Sequence, residues 1–139
     1  MKKQALNTLN HSVFSLQYHL VFVTKYRRKC ISPEMLERLR EIFRETIQKW
    51  HGELIEFNGE SDHVHLLMSL NPKLRLSDFV GNMKTVSSRL IRKEFSEELA
   101  EYYWKPVFWS GSYCILTCGG APLSVIKQYI ENQRAIDSA

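Results

Sequence analysis

Ser61-Asp62-His63-Val64-His65-Leu66-Leu67-Met68 is the stretch on which the reading of this chain turns. With a period of two, Val64, Leu66, Met68 and Leu70 point to one face, and His63 and His65 to the other. The apolar face predicts burial under helices. The second face sets two imidazoles side by side on a rigid strand, which suits two ligands of one metal ion, because neutral imidazole offers a lone pair at physiological pH. An isolated His-x-His is more often a strand cap beside a satisfied surface residue, so its meaning depends on the rest of the chain.

Working outward, Glu53 to Phe57 reads as a short strand and Asn58-Gly59 as a turn, so that residues 53–70 form a hairpin with a slightly longer loop. Upstream, Ser12 to Thr24 alternates, with Leu16, Tyr18, Leu20 and Phe22 on one side and Gln17, His19 and Val21 on the other. This predicts a long, half-buried strand with His19 on its less apolar side. Lys25-Tyr26-Arg27-Arg28-Lys29 follows, a stretch able to clamp phosphates and stack a base, or simply to stay solvated at a strand end. Ser32-Pro33 opens a helix as cap and first residue, with Met35, Leu36, Leu39, Ile42, Phe43, Ile47 and Trp50 at helical spacing and Gly52 placed to end it.

Downstream, Asn71-Pro72 stops the histidine strand, and Ser77 is placed to cap a second helix with an inner stripe of Phe79, Val80, Met83, Val86, Leu90 and Ile91. Lys84, Arg89, Arg92 and Lys93 make its other face cationic, a second patch that a nucleic acid could use. The aromatic-rich run Tyr102 to Trp109 fits base stacking, cover for the sheet edge or a dimer seam. Tyr113 to Cys118 reads as a strand, Gly119-Gly120 as its break, and Pro122 as the start of a last helix to about Ala135 with Leu123, Ile126 and Ile130 as its apolar stripe. Tyr129 and Gln133, four apart, stack on one side of that helix.

The order strand, helix, strand, strand, helix, strand, then an added helix, is that of an α+β ferredoxin-like, RRM-like split βαβ sandwich. Two helices cover one face of its antiparallel sheet, and the other, read as an open face ringed by basic loops, carries the histidines and suits a single-stranded or hairpin nucleic acid. At 139 residues, 44% hydrophobic and 24% charged, the chain fits one domain over residues 1–139, with 1–11 as a loose polar arm. Its +4 formal charge favours a polyanionic partner. No apolar run approaches the roughly 20 residues that span a bilayer, and Met1 to Asn7 lacks the apolar region of a signal peptide. Cys30, Cys114 and Cys118 show no CxxC pairing and read as reduced thiols, so a cytoplasmic location is expected.

Asp62-His63-Val64-His65-Leu66-Leu67 together with Tyr129-Ile130-Glu131-Asn132-Gln133 resembles the single-tyrosine HUH transposases of insertion sequences, the insertion-sequence-200/605 type. Tyr18 to Arg27 looks like that family's first strand, and Trp109-Ser110-Gly111-Ser112-Tyr113 like its segment before the last strand. The resemblance covers residues 12–135. It implies Tyr129 as nucleophile, His63 and His65 as metal ligands and Gln133 as the third ligand. It also implies cleavage and rejoining of single-stranded DNA through a 5′-phosphotyrosine link, subterminal DNA hairpins as partners, and a homodimer. His19 and Asp62 are candidates to support the ligands from behind. Lys25, Tyr26, Arg27, Arg28, Lys29, Lys84, Arg89 and Arg92 are candidates to hold DNA.

Two imidazoles and an amide oxygen suit a divalent ion, Mg²⁺ or Mn²⁺, without choosing between them. No Gly-rich phosphate loop is present, in keeping with a reaction that conserves bond energy in a covalent link and needs no nucleotide cofactor. The alternatives are a hairpin-binding regulator on the same fold, and a domesticated transposase acting on repetitive palindromic elements.

Overall fold

A computed structural model describes residues 7–9, 12–14, 16–118 and 123–138. In chain order the strands are β1 (Asn7–Leu9), β2 (Ser12–Phe14), β3 (Gln17–Val23), β4 (Glu53–Gly59), β5 (His63–Ser69) and β6 (Cys114–Thr117). The helices are α1 (Pro33–Lys49), α2 (Leu76–Glu94), the short α3 (Ser96–Leu99) and α4 (Leu123–Ser138), with a 3-10 turn at Lys25–Arg27. The main sheet runs β4-β5-β3-β6 and every pairing in it is antiparallel. With β3, α1, β4, β5, α2 and β6 in sequence, this is the split βαβ order expected.

Alternation builds the main core. Leu20 and Phe22 of β3 and Val64, Leu66 and Met68 of β5 face α1 and α2, where Met35, Leu39, Phe43, Phe79 and Met83 meet them, all essentially free of solvent. Ser32 caps α1, its hydroxyl accepting from the Met35 amide at 3.2 Å, and Pro33 follows. At the other end His51, not Gly52, takes the left-handed conformation with φ of 61°. Gly52 donates to the Ile47 carbonyl at 2.9 Å and lies so close to β5 that a Cβ there would stand 2.8 Å from the Ser69 oxygen.

Five expectations change. Asn58-Gly59, read as a turn, are the last two residues of β4, paired with His65 and Val64. The single strand over 12–24 is two strands, because β2 pairs with β1 whereas β3 pairs with β5 and β6. Asn7–Leu9, read as part of a loose arm, is held by that hairpin, Thr8 opposite Val13. Ser77 lies inside α2, whose first residue is Leu76 and whose cap position is Arg75, without a side-chain cap bond. Leu76 packs on the core and draws the start of the helix forward. Last, the histidine face is not an open sheet: Ile126 and Ile130 of α4 pack on Val21 and Val23, which are fully buried. Gly119, Gly120, Pro122 and the side chain of Leu123 lie outside the described residues.

Candidate active site and metal centre

Strand register places the histidines. His63 pairs with Val23 and His65 with Val21, so both rings share the sheet face over which α4 lies. Asp62, just before β5, is buried and receives two partners: His63 Nδ1 lies 2.8 Å from its Oδ1, and Arg27 Nε donates to Oδ2 at 3.0 Å. Burial pushes the Asp62 carboxyl up, but the bonds from His63 and Arg27 outweigh it and hold it below the usual range. Thr24 fixes the assembly, its amide donating to the Asp62 carbonyl at 2.9 Å and its hydroxyl to the Arg28 carbonyl at 2.6 Å.

With Nδ1 turned to a carboxylate, His63 presents Nε2 outward, the support commonly found behind metal-bound imidazoles. His65 is held otherwise: its Nε2 lies 2.9 Å from His19 Nδ1, and His19 Nε2 lies 3.7 Å from Cys118 Sγ. Burial, then the neighbouring His19 and His63, lower the His65 pKa and favour its neutral, ligating form. His63 thus has a ring nitrogen available to a divalent ion, whereas Nε2 of His65 is engaged by His19. Glu60, which the sequence did not single out, brings a carboxylate near Asp62 and His63, the donor atoms of all three lying within 4.8 Å of one another.

Tyr129 and Gln133 meet at a different place. The Tyr129 hydroxyl lies 2.8 Å from Ser112 Oγ, and Ser112 donates to Gln133 Oε1 at 3.0 Å. Gln133 is fully buried, and its amide nitrogen donates to Ser110 Oγ. Lys84 of α2 donates to the Ser110 carbonyl at 2.7 Å, and Trp109 Nε1 to Ser87 Oγ at 2.9 Å, so the Trp109–Ser112 loop is pinned from behind. On α4, Tyr129 and Gln133 lie on one flank of the Ile126–Ile130 stripe and Lys127 and Glu131 on the other. It is Lys127 and Glu131 that share a cavity with His63. The structure therefore gathers Tyr129 with Gln133, and His63 with Asp62, on separate flanks of one helix.

The cationic residues divide likewise. Lys84, Arg89 and Arg92 line one groove with Pro106 to Trp109, of about 360 Å³, on the far side of the sheet from the histidines. A second hollow shares Arg92 and continues past Lys105 and Trp104, the latter 92% exposed. Of the Lys25–Lys29 stretch, Arg27 serves Asp62. Tyr26 packs on the core, with Lys25, Arg28 and Lys105 over its ring at 5.4, 5.7 and 5.4 Å. Arg28 and Lys29 are exposed. Ser110 and Ser112 entered the sequence reading only within Trp109-Ser110-Gly111-Ser112-Tyr113, the segment that resembles the family's, with no role given to either hydroxyl.

Residues 12–133 match the family described as "Transposase IS200 like". The chain belongs to the IS200-like transposases. Among curated members it is 36% identical over 121 residues to the ISDra2 transposase TnpA of Deinococcus radiodurans, covering 87% of this chain and 86% of that one. It is 30% identical over 126 residues to the transposase for insertion sequence element IS200 of Salmonella typhimurium, covering 91% and 82%. A crystal structure of a Deinococcus radiodurans chain assigned as a transposase superposes with a TM-score of 0.83 at 34% identity, over 91% of this chain and 97% of that one. A REP-associated tyrosine transposase bound to a REP hairpin shares the fold, with a TM-score of 0.54 at 10% identity over 85% and 64%. The family resemblance read from the HUH and Tyr-x-x-x-Gln motifs therefore holds, and so does the α+β fold read from the element order. As a transposase the protein acts on DNA. No described helix is long and apolar enough to cross a membrane.

Proposed function

We propose that this transposase cleaves and rejoins single-stranded DNA at the ends of its insertion sequence, with Tyr129 as nucleophile. The supporting observation is the placement of α4. It lies across the sheet face that bears His63 and His65, and Ser112 ties the Tyr129 hydroxyl to Gln133. In the reaction the phenol oxygen of Tyr129 forms a bond to the scissile phosphorus, the bond to the 3′ oxygen breaks, and the phenol proton leaves. The products are a 5′-phosphotyrosine and a free 3′ hydroxyl, and a second 3′ hydroxyl reverses the step.

His63, His65 and Gln133 would hold a divalent ion, Mg²⁺ or Mn²⁺, which supplies Lewis-acid neutralisation of phosphoryl charge. Asp62 and Arg27 keep the His63 ring oriented, and His19 parks His65. Ser110 and Ser112 hold the amide of Gln133. Because Tyr129 and Gln133 occupy the flank of α4 away from His63, α4 must shift to join them to a histidine pair, on its own chain or on a partner's. A homodimer acting on hairpin-bearing single strands meets this requirement, with Lys84, Arg89 and Arg92 gripping the DNA backbone.

The test is incubation of the protein with labelled single-stranded DNA from the flanks of its own gene, with Mg²⁺, Mn²⁺ or EDTA, on a denaturing protein gel. A metal-dependent, label-bearing protein band is expected, lost in Tyr129→Phe while DNA binding persists. A band retained in Tyr129→Phe would remove Tyr129 from the role. DNA binding without any covalent band in either metal would make the chain a binding regulator.

A further inference from the structure

Ser112 stands between the two groups of α4 on which the proposed chemistry depends. Its Oγ lies 2.8 Å from the Tyr129 hydroxyl and donates to Gln133 Oε1 at 3.0 Å. A hydroxyl has one proton, and here that proton goes to the amide oxygen, so toward Tyr129 the serine can only accept. The phenol is then the donor of that bond, which keeps the proton on its own oxygen. The other end of the Gln133 amide donates to Ser110 Oγ. With α4 docked, the nucleophilic oxygen and the ligand oxygen are both taken, and by one hydroxyl.

The two sides of this contact differ in how firmly they are held. Ser110 is fully buried; its amide donates to the Val23 carbonyl at 2.7 Å, and its carbonyl accepts from Lys84 Nζ at 2.7 Å. Trp109 Nε1 donates to Ser87, so the loop is fixed to both β3 and α2. α4 has less to hold it. Among its residues whose side chains are described, Ile126, Ile130 and Gln133 are the buried ones. The two isoleucines meet Val21 and Val23 in a small cluster apart from the main core. Hydrogen bonds to a rigid loop are therefore a large share of what keeps the helix in place, and Ser112 makes two of them.

We propose that Ser112 is a positioning residue that keeps the transposase at rest, binding Tyr129 and Gln133 together on the docked helix so that cleavage waits on their release. This rests on the reading of those residues as nucleophile and ligand, because that reading requires α4 to leave its docked position. While the docked form predominates, the rate of the covalent step is scaled down by the fraction of molecules released. Loss of the Ser112 hydroxyl removes two hydrogen bonds from the docked form alone, so the released fraction should rise by about tenfold, and the rate with it. A serine that only built the site would act with the opposite sign, its loss slowing the reaction.

The experiment compares the full-length protein with Ser112→Ala and Ser112→Thr in two ways. Amide hydrogen exchange of α4, followed by mass spectrometry without DNA or metal, reads undocking. Single-turnover formation of the covalent band on labelled flank DNA with Mn²⁺ reads the rate. Ser112→Ala should speed exchange of α4 by about tenfold, leave α1 unchanged, and speed the covalent step by a similar factor. Ser112→Thr keeps the hydroxyl and should match the parent in both. Unchanged α4 exchange in Ser112→Ala would overturn the hold, as would equal acceleration in α1, which marks general loosening. Faster α4 exchange with an unchanged or slower covalent step would overturn the resting role. A band absent from every protein, the parent included, is a failure of the cleavage reading and takes the rate effect with it; exchange then still decides whether Ser112 holds α4.

Discussion

Asp62 shows how much a single residue decides at this site. Its carboxylate is buried between an imidazole and a guanidinium, and both bonds favour its charged form. Asp62→Asn keeps the size but weakens the grip on Nδ1 of His63. Loss of such a partner commonly costs about 10–100-fold in metal affinity, so Mn²⁺ binding followed by calorimetry should weaken by that amount. Unchanged affinity would mean that His63 is not a ligand or that Asp62 does not support it. His-x-His was legible because strand alternation puts His63 and His65 on one face, whereas Asp62, out of phase with them, was legible only as part of the motif that carries the family resemblance. The bond between His19 and His65 was not, since it joins residues 46 positions apart on two strands.

Among the helices, α1 and α2 differ at their starts. Ser32 supplies a side-chain cap to α1, while Arg75 supplies none to α2. Ser32→Ala should therefore cost about 1 kcal/mol, seen as a lower urea midpoint with an unchanged slope. No loss would show that the amide of Met35 finds another acceptor. The sequence marked the start of α1 correctly because Ser32-Pro33 is a local signal. It misplaced the start of α2 because Ser77 is an equally good local signal, and packing of Leu76 on the core overrode it. β2 and β3 teach the same point: alternation runs through 12–24, yet a change of pairing partner divides it.

Across the whole molecule, the cations sit on both sides of the sheet. Arg27 and Lys127 stand at the histidine face, and Lys84, Arg89 and Arg92 in the groove behind α2. If that groove carries the backbone of the strand, each contact releases counterions. Changing all three to Ala should then flatten the salt dependence of single-strand binding by about 2 in log–log slope, at roughly 0.7 per contact, measured by anisotropy. An unaltered slope would clear the groove of that role. Lys84 also pins the Ser110 carbonyl, so Arg89→Ala with Arg92→Ala separates backbone contact from loop support.

Periodicity and local signals in the chain gave the order of the main sheet's strands and of α1, α2 and α4, the two faces of β5, the first helix with its cap and the pairing of Tyr129 with Gln133 along one side of α4. All of these follow from periodicity and short-range chemistry, which act within a few residues. The tertiary structure alone decided that α4 covers the histidine face, that its Lys127–Glu131 flank faces His63, and that Tyr129 and Gln133 are held by Ser110 and Ser112. A helical pattern fixes which residues share a flank but not the strand that flank meets. That choice belongs to the packing of Ile126 and Ile130 on Val21 and Val23, more than a hundred residues apart in the chain.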